Sequence, residues 1–295
     1  MRAFVTGGSG FVGTWLIRHL EEMGDETAAL REGVDVTDGP AVDREVAAFR
    51  PDVVYHLAAL THVGDSWVAP EATFRVNAMG TLSVLEAARK AESSPRVVLV
   101  SSAEVYGPAS SGPIDETMPL CPVTPYAASK VAAEYLGLQA HLGRGLEVIR
   151  ARPFNHVGPG QSPNFVIAAL AKRVVEAERA GALEVSVGDL SPARDFTDVR
   201  DVVRAYRLLA ESGESGEVYN VCSGEAIAIS TIFEELVALG DHQVKAVVDP
   251  ALLRPVDVPL LVGDATKLAS LTGWSRTIPL ETTLKDVLLD ARSRW

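Results

Sequence analysis

The glycines at positions 7, 10 and 13 constrain this chain most. Arg2 to Thr6 reads as a short apolar strand, and the run Gly7-Gly8-Ser9-Gly10-Phe11-Val12-Gly13 follows it directly. From Phe11 to Met23 the apolar residues Val12, Trp15, Leu16 and Leu20 recur at helical spacing. A strand that turns through glycines into a helix fits a parallel sheet with crossover helices, which the alternation of strands and helices along the first half implies. It also leaves the first N–H groups of that helix, with its positive dipole end, facing outward. Glycine lets the backbone turn sharply and come close to a ligand. A strand–loop–helix of this kind can hold a dinucleotide pyrophosphate, with Gly7, Gly10, Phe11 and Val12 at the contact, or it can be a glycine-rich turn without a ligand.

The alternation continues through the first half. Strands are expected at Thr27–Leu30, Asp52–Leu57, Arg96–Ser101 and Leu146–Arg150. Helices are expected at Pro40–Phe49, Pro70–Ala91 and Pro125–Leu142. The expected fold class is α/β, a Rossmann-type doubly wound parallel sheet with right-handed crossovers. After residue 150 the pattern loosens into a Gly/Pro/Asn-rich stretch from Pro153 to Pro163. Helices follow near Phe165–Ala180, Val199–Glu211, Ser230–Leu239 and Leu280–Arg292, with strands at Leu183–Val187 and Val218–Val221. The expected organisation is a dinucleotide-binding domain over 1–160, with segments near 195–225 returning to it. A smaller substrate-binding lobe is expected over 161–295.

Composition narrows the function classes. A net charge of −12 argues against a nucleic-acid partner and makes individual arginines the candidates for holding an anionic substrate. No apolar run approaches the ~20 residues of a membrane span, and no secretory leader is read at the start of the chain. Cys121 and Cys222 form no CxxC pair and fit a reducing cytoplasm. The histidines show no metal-ligand spacing, so no metal is expected.

Near the middle of the chain stands Tyr126-Ala127-Ala128-Ser129-Lys130. Tyr126 and Lys130 are one helical turn apart and share a face. A free tyrosine, with a pKa of ~10, is a poor acid–base at neutral pH. An adjacent ammonium is expected to favour the phenolate and lower that value. Lys130 can also bond a nicotinamide ribose, and Ser102, ending a buried strand, can reach the same oxygen as Tyr126. The alternative is an ordinary helix-surface pair. At the tip of the second strand, Leu30-Arg31 offers an arginine where a carboxylate would select NAD, which favours NADP(H) over NAD(H) unless Arg31 is only a surface charge. Asp35, with Val36, is placed to meet the adenine, or Asp35 serves as a cap or turn residue.

These residues together resemble the extended short-chain dehydrogenase/reductase family over essentially the whole chain. The resemblance includes His56-Leu57-Ala58-Ala59, Val76-Asn77-Ala78-Met79-Gly80-Thr81, Ser101-Ser102-Ala103-Glu104-Val105-Tyr106-Gly107 and Arg194-Asp195-Phe196-Thr197-Asp198-Val199. It implies Ser102, Tyr126 and Lys130 as the catalytic set. It also implies Leu57, Ala58, Ala59, Asn77 and Pro153 beside the cofactor, and a nucleotide-sugar substrate altered at C4 of the sugar. The run Arg152 to Gln161, with Ser162-Pro163-Asn164-Phe165-Val166 and Leu253-Arg254-Pro255-Val256-Asp257-Val258-Pro259, is similar to the GDP-mannose branch, as is Val218 to Gly224. By that likeness Asn155, Val166, Arg194 and Arg254 contact the substrate. The likeness also implies that the helices Pro70–Ala91 and Pro125–Leu142 form a four-helix bundle in a homodimer.

Three activities are compatible with the set: reduction of a 4-keto-6-deoxy sugar, 4-epimerisation and 4,6-dehydration. Glu104 is a further catalytic candidate, standing where dehydratases of the family place the glutamate that handles the C5 proton. Ala103 beside it cannot donate a proton, however, and the stretch after Arg31 is too short for the cofactor-clasping loop of the GDP-mannose dehydratases. The reductase is therefore ranked first, then the epimerase, then the dehydratase. A non-catalytic dinucleotide sensor is the alternative of a different class.

Overall fold

The computed structural model describes residues 1–108, 112–252 and 258–295. Its centre is a six-stranded, all-parallel sheet. The strands are β1 (Arg2–Thr6), β2 (Glu26–Ala29), β3 (Val53–His56), β4 (Arg96–Val100), β5 (Val148–Pro153) and β9 (Val218–Val221), in the order β2-β1-β3-β4-β5-β9. The order reverses at β1, which lies between β2 and β3, so the loops leaving β1 and β3 diverge there and open a crevice at the carboxyl ends of the strands.

The strands are apolar on both faces because both faces are covered. Ala3, Val5, Val53, Tyr55, Val98 and Ile149 pack with Leu16 and Leu20 of α1 (Phe11–Glu22) and with Val202, Val203 and Tyr206 of α8 (Val199–Ser212). The alternate residues Phe4, Val54, Val97, Leu99 and Val148 face the other way. They meet Val42 and Val46 of α2 (Gly39–Phe49), Val84 and Leu85 of α5 (Gly80–Lys90) and Ala140 of α6 (Pro125–Arg144). The period of two along each strand thus divides the core into its two layers.

A second apolar cluster joins α7 (Val166–Ala180), α9 (Ile229–Leu239) and α11 (Leu280–Arg294) to β6 (Asn155–Val157), β7 (Glu184–Val187) and β8 (Ala193–Asp198). Strand β8 pairs with β6, with β10 (Ala226–Ala228) and with β12 (Leu260–Leu261). It is therefore β9, and not β8, that returns to the central sheet from the stretch near 195–225. Among the described residues strand β7 pairs only with β11 (Lys245–Val248), and α10 (Thr266–Thr272) packs on α8.

Two expected elements differ. Pro70–Ala91 is not one α-helix: α4 (Pro70–Phe74) runs through a π-helical turn, Arg75–Met79, into α5. The wider turn carries Asn77 inward, and a single such turn within a helix is a common way to place a functional side chain. The strand expected at Leu146–Arg150 begins at Val148 and runs to Pro153. Leu146 instead closes α6: Gly145 takes the left-handed conformation (φ 69°), and the Leu146 N–H donates back to the Ala140 carbonyl. Short helix α3 (Val63–Val68) was not expected from the sequence pattern.

Candidate active site

The glycine loop is held against the end of β3. Gly7 has φ +73°, and a Cβ there would stand 2.8 Å from the Ala58 backbone nitrogen. A Cβ on Gly13 would come within 2.1 Å of the Gly7 carbonyl oxygen. The Gly10 N–H donates to Gly7 O at 3.0 Å, closing the turn. No side chain caps the start of α1, so its first N–H groups are left for an anion, as a pyrophosphate site requires. Phe11 stacks on His156 with 12° between the rings, and the Trp15 indole donates to the Pro159 carbonyl at 3.1 Å. The segment after β6 is thereby fixed against α1, and His156 has a packing role.

Behind the loop lies a buried polar chain. Thr6 Oγ1 is 2.7 Å from His56 Nδ1, and His56 Nε2 is 2.9 Å from Thr81 Oγ1. Thr81 donates to the Asn77 carbonyl at 2.6 Å. The Asn77 side chain, 1% exposed, accepts from Leu60 N–H and donates to the Leu60 carbonyl and to Ser129 Oγ. Ser129 donates to the Tyr126 carbonyl. Asn77 thus pins the loop after β3, which carries Leu57, Ala58 and Ala59, to the first turn of α6. Both hydrogens of its amide are spent on those partners. These bonds fix Asn77 beside the loop that carries the cofactor-binding candidates.

Ser102 and Tyr126 are brought together. Ser102 follows β4 and caps the short 3₁₀ turn Ala103–Tyr106, accepting from Glu104 N–H at 3.2 Å. Pro125 at the first helical position and the Thr124 cap start α6 just before Tyr126. Burial pushes the Tyr126 phenol up to about 12; a hydrogen bond to Ser102 opposes the rise and the Glu104 charge adds to it. The expected lowering by Lys130 is not found. Lys130 donates instead to the Val100 carbonyl at 2.9 Å, and burial brings its own ammonium down to about 8 against the opposing charge of Glu134.

The sequence reading missed Glu134. It is fully buried on α6, one turn after Lys130, and accepts a bidentate pair from Arg152 at 2.8 and 2.6 Å. Arg150 is 3.9 Å from it, and Arg152 also donates to Tyr106 Oη. The spacing of Lys130 and Glu134 was the available signal.

At the expected adenosine end Arg31 and Asp35 are exposed. Arg31 is tied to Glu45 of α2 at 2.7 Å, and Asp35 accepts from Thr37 and, at 3.3 Å, from Arg75. Asp38 caps α2, so Asp35 is not its cap. Val36 is buried against Gly80. On the other side of the crevice Pro153 ends β5, Asn155 lies opposite Phe196 in the β6–β8 pair, and Arg194 is two residues before Phe196 on β8. Arg194 is largely buried and donates to the Ala193 carbonyl. Val166 opens α7. Arg254 lies outside the described residues. The acids of the Arg194–Val199 run hold the fold together. Asp195 accepts from Ser223 and from the Gly224 and Gly263 N–H groups. Asp198 caps α8 and binds Arg200 and Thr283. Among the described residues no cluster of His, Cys, Asp and Glu could hold a metal ion, and no helix is long and apolar enough to cross a membrane.

The chain has counterparts among known proteins. The family model described as GDP-mannose 4,6 dehydratase matches residues 31–287. The chain belongs to this family. It is 38% identical to the GDP-6-deoxy-D-mannose reductase of Pseudomonas aeruginosa, over 99% of this chain and 98% of that protein. It is 31% identical to the GDP-6-deoxy-D-talose 4-dehydrogenase of Aggregatibacter actinomycetemcomitans, over 92% of each. The solved structure of RMD from Pseudomonas aeruginosa complexed with NADPH superposes with a TM-score of 0.92 at 37% identity, covering 100% of this chain and 99% of that one.

Proposed function

We propose that the protein reduces the C4 ketone of a GDP-linked 4-keto-6-deoxy sugar with NADPH, NADH being the weaker coenzyme. The observation that carries this reading is the full-length likeness to the Pseudomonas aeruginosa reductase, together with an intact Ser102, Tyr126 and Lys130. NADPH supplies the hydride that forms the new C–H bond at C4. The protein supplies the rest. Tyr126, a neutral phenol at rest, gives its proton to O4 as the carbonyl becomes an alcohol. Ser102 bonds the same oxygen, and Lys130 turns from the Val100 carbonyl toward the nicotinamide ribose.

Gly7, Gly10, Phe11 and Val12 receive the pyrophosphate. Arg31 receives the 2′-phosphate, with Asp35 and Val36 beside the adenine. Leu57, Ala58, Ala59 and Pro153 line the nicotinamide half, and Asn77 keeps their loop in place. Asn155, Val166, Arg194 and Arg254 hold the sugar nucleotide, the arginines through charge-assisted bonds to its phosphates. In this reading residues 1–160 bind the cofactor and 161–295 mainly the substrate. Phe74, Met79, Tyr135 and Leu142, all exposed on α4 to α6, support a homodimer through a four-helix bundle. Two free cysteines support a cytoplasmic location.

The test is one NMR time course per substrate. A GDP-4-keto-6-deoxy-hexose should consume NADPH mole for mole and give a 4-hydroxy product, and Glu104→Gln should keep most of that activity. GDP-mannose with catalytic NADP⁺ should give no keto sugar. Formation of a 4-keto-6-deoxy sugar from GDP-mannose would overturn the reductase assignment in favour of the dehydratase.

A further inference from the structure

We infer that Glu134 is a positioning residue for this reaction: its buried carboxylate, one helical turn after Lys130, is the counter-charge that keeps Lys130 an ammonium beside Tyr126. The inference rests on the catalytic reading of Tyr126 and Lys130 given above.

The charges buried here are unbalanced. Lys130, Arg150 and Arg152 are three cations on two adjacent elements, α6 and β5, and Glu134 is the carboxylate placed among them. Arg152 meets it through Nε and Nη2, the geometry that locks a carboxylate in one orientation. Glu134 is therefore fixed by β5 and presented to Lys130 from their common helix.

The other groups facing Lys130 do not replace it. From β3 comes His56, which feels the Lys130 charge and is held neutral by burial. From β4 comes the Val100 carbonyl, a neutral acceptor. From the 3₁₀ turn the Glu104 charge is felt at Tyr126. On α6 itself Tyr126 is an uncharged phenol. Arg152 of β5 is paired with Glu134, and Arg150, 3.9 Å from Glu134, donates to the Gly216 carbonyl. Burial alone disfavours the ammonium, and the Glu134 charge opposes it.

The experiment measures Lys130 in two ways. The first is the alkaline limb of the kcat/KM profile for the GDP-4-keto-6-deoxy sugar with NADPH. The second is the titration of the Lys130 resonance in protein labelled with ¹³Cε-lysine, without coenzyme, assigned by its loss in Lys130→Met. In Glu134→Gln both should move to lower pH by about 1–3 units, the effect of removing an opposite charge at close range. Glu134→Gln leaves Arg152 unpaired, so Glu134→Leu/Arg152→Met provides a variant with no orphaned charge. It should keep the wild-type circular dichroism and show a smaller downward shift, because the Arg152 charge that opposes the Lys130 ammonium leaves together with the carboxylate. A Lys130 titration unmoved in folded Glu134→Gln overturns the inference, because a purely structural ion pair changes stability and not that titration. Loss of turnover in Lys130→Met together with an unmoved titration refutes this inference alone. Full turnover in Lys130→Met refutes the catalytic reading, and this inference with it.

Discussion

The proton pattern around His56 makes the stability of the protein depend on pH in a way that one substitution should remove. Thr81 spends its hydroxyl hydrogen on the Asn77 carbonyl, so it can only accept from His56 Nε2. The Thr6 hydroxyl accepts from the Ala58 N–H at 3.3 Å and donates to His56 Nδ1. Only the neutral imidazole with its proton on Nε2 satisfies every group. Burial, and secondarily the Lys130 charge, press its pKa from 6.5 down to about 3. The unfolded chain binds a proton near pH 6.5 that the folded chain refuses. Stability is therefore complete above pH 6.5 and is lost as the pH falls toward 3. Between pH 8 and pH 5 the two pKa values cost the folded state about 2 kcal/mol from this side chain alone.

His56→Asn cannot titrate and keeps an acceptor for Thr6, but it loses the bond to Thr81. At pH 8 it should be less stable than wild type by about 1–3 kcal/mol, the scale of a lost buried hydrogen bond. By pH 5 that deficit should shrink by about 2 kcal/mol, so the two stabilities converge or cross. Urea unfolding followed by circular dichroism at pH 8, 7, 6 and 5, at one protein concentration, measures the difference. Every carboxylate common to both proteins cancels. A deficit that stays constant from pH 8 to pH 5 would show that His56 is not the buried neutral group described here.

Two further outcomes test the site. Tyr126→Phe should lower turnover by a factor on the order of 10² to 10⁴, the usual worth of a positioned acid, and leave NADPH binding by fluorescence titration nearly unchanged; near-normal turnover would remove Tyr126 as the proton donor. Arg31→Ala should weaken NADPH relative to NADH by about tenfold, the scale of a hydrogen bond to a charged group, and Glu45→Gln should move the ratio the other way by freeing Arg31 from its ion pair; equal effects on both coenzymes would place the 2′-phosphate elsewhere.

The parts of this molecule legible in the sequence are those where apolar pattern and backbone geometry speak together. The glycine loop, the six parallel strands and the helix bearing Tyr126 follow from periodicity and from glycines that nothing else can replace. Strand β8 was hidden because its sequence, Ala193-Arg194-Asp195-Phe196-Thr197-Asp198, carries its acids inside. Asp195 and Asp198 are buried because backbone N–H groups, serine and threonine from distant segments satisfy them, together with Arg200 two residues on. No local pattern announces partners that lie up to 85 residues away. The same reason hid the roles of Asn77 and Glu134. Each is an ordinary polar residue on a helix until the fold supplies Leu60 and Ser129 for one, and Arg152 for the other. Arg31 illustrates the opposite case: its position at the strand tip was read correctly, but Glu45, fourteen residues on, already holds it.

The state of Tyr126 bears on the direction of the chemistry. An enzyme that begins by oxidising a 4-hydroxyl, as an epimerase or a dehydratase does, needs a base at O4 before hydride can leave. Here burial and the Glu104 charge both hold the phenol neutral, and Lys130 is turned to the Val100 carbonyl. A reductase begins from the opposite side. Its ketone needs a proton donor only as negative charge grows on O4, and a buried neutral phenol bonded to Ser102 is loaded for that step. Once the proton has left, the phenolate is the charged species in a buried site, and a nearby ammonium then becomes worth most. Lys130 is thus of greatest use after proton transfer, which makes the carboxylate that keeps it charged, Glu134, part of the same design as the tyrosine it never touches.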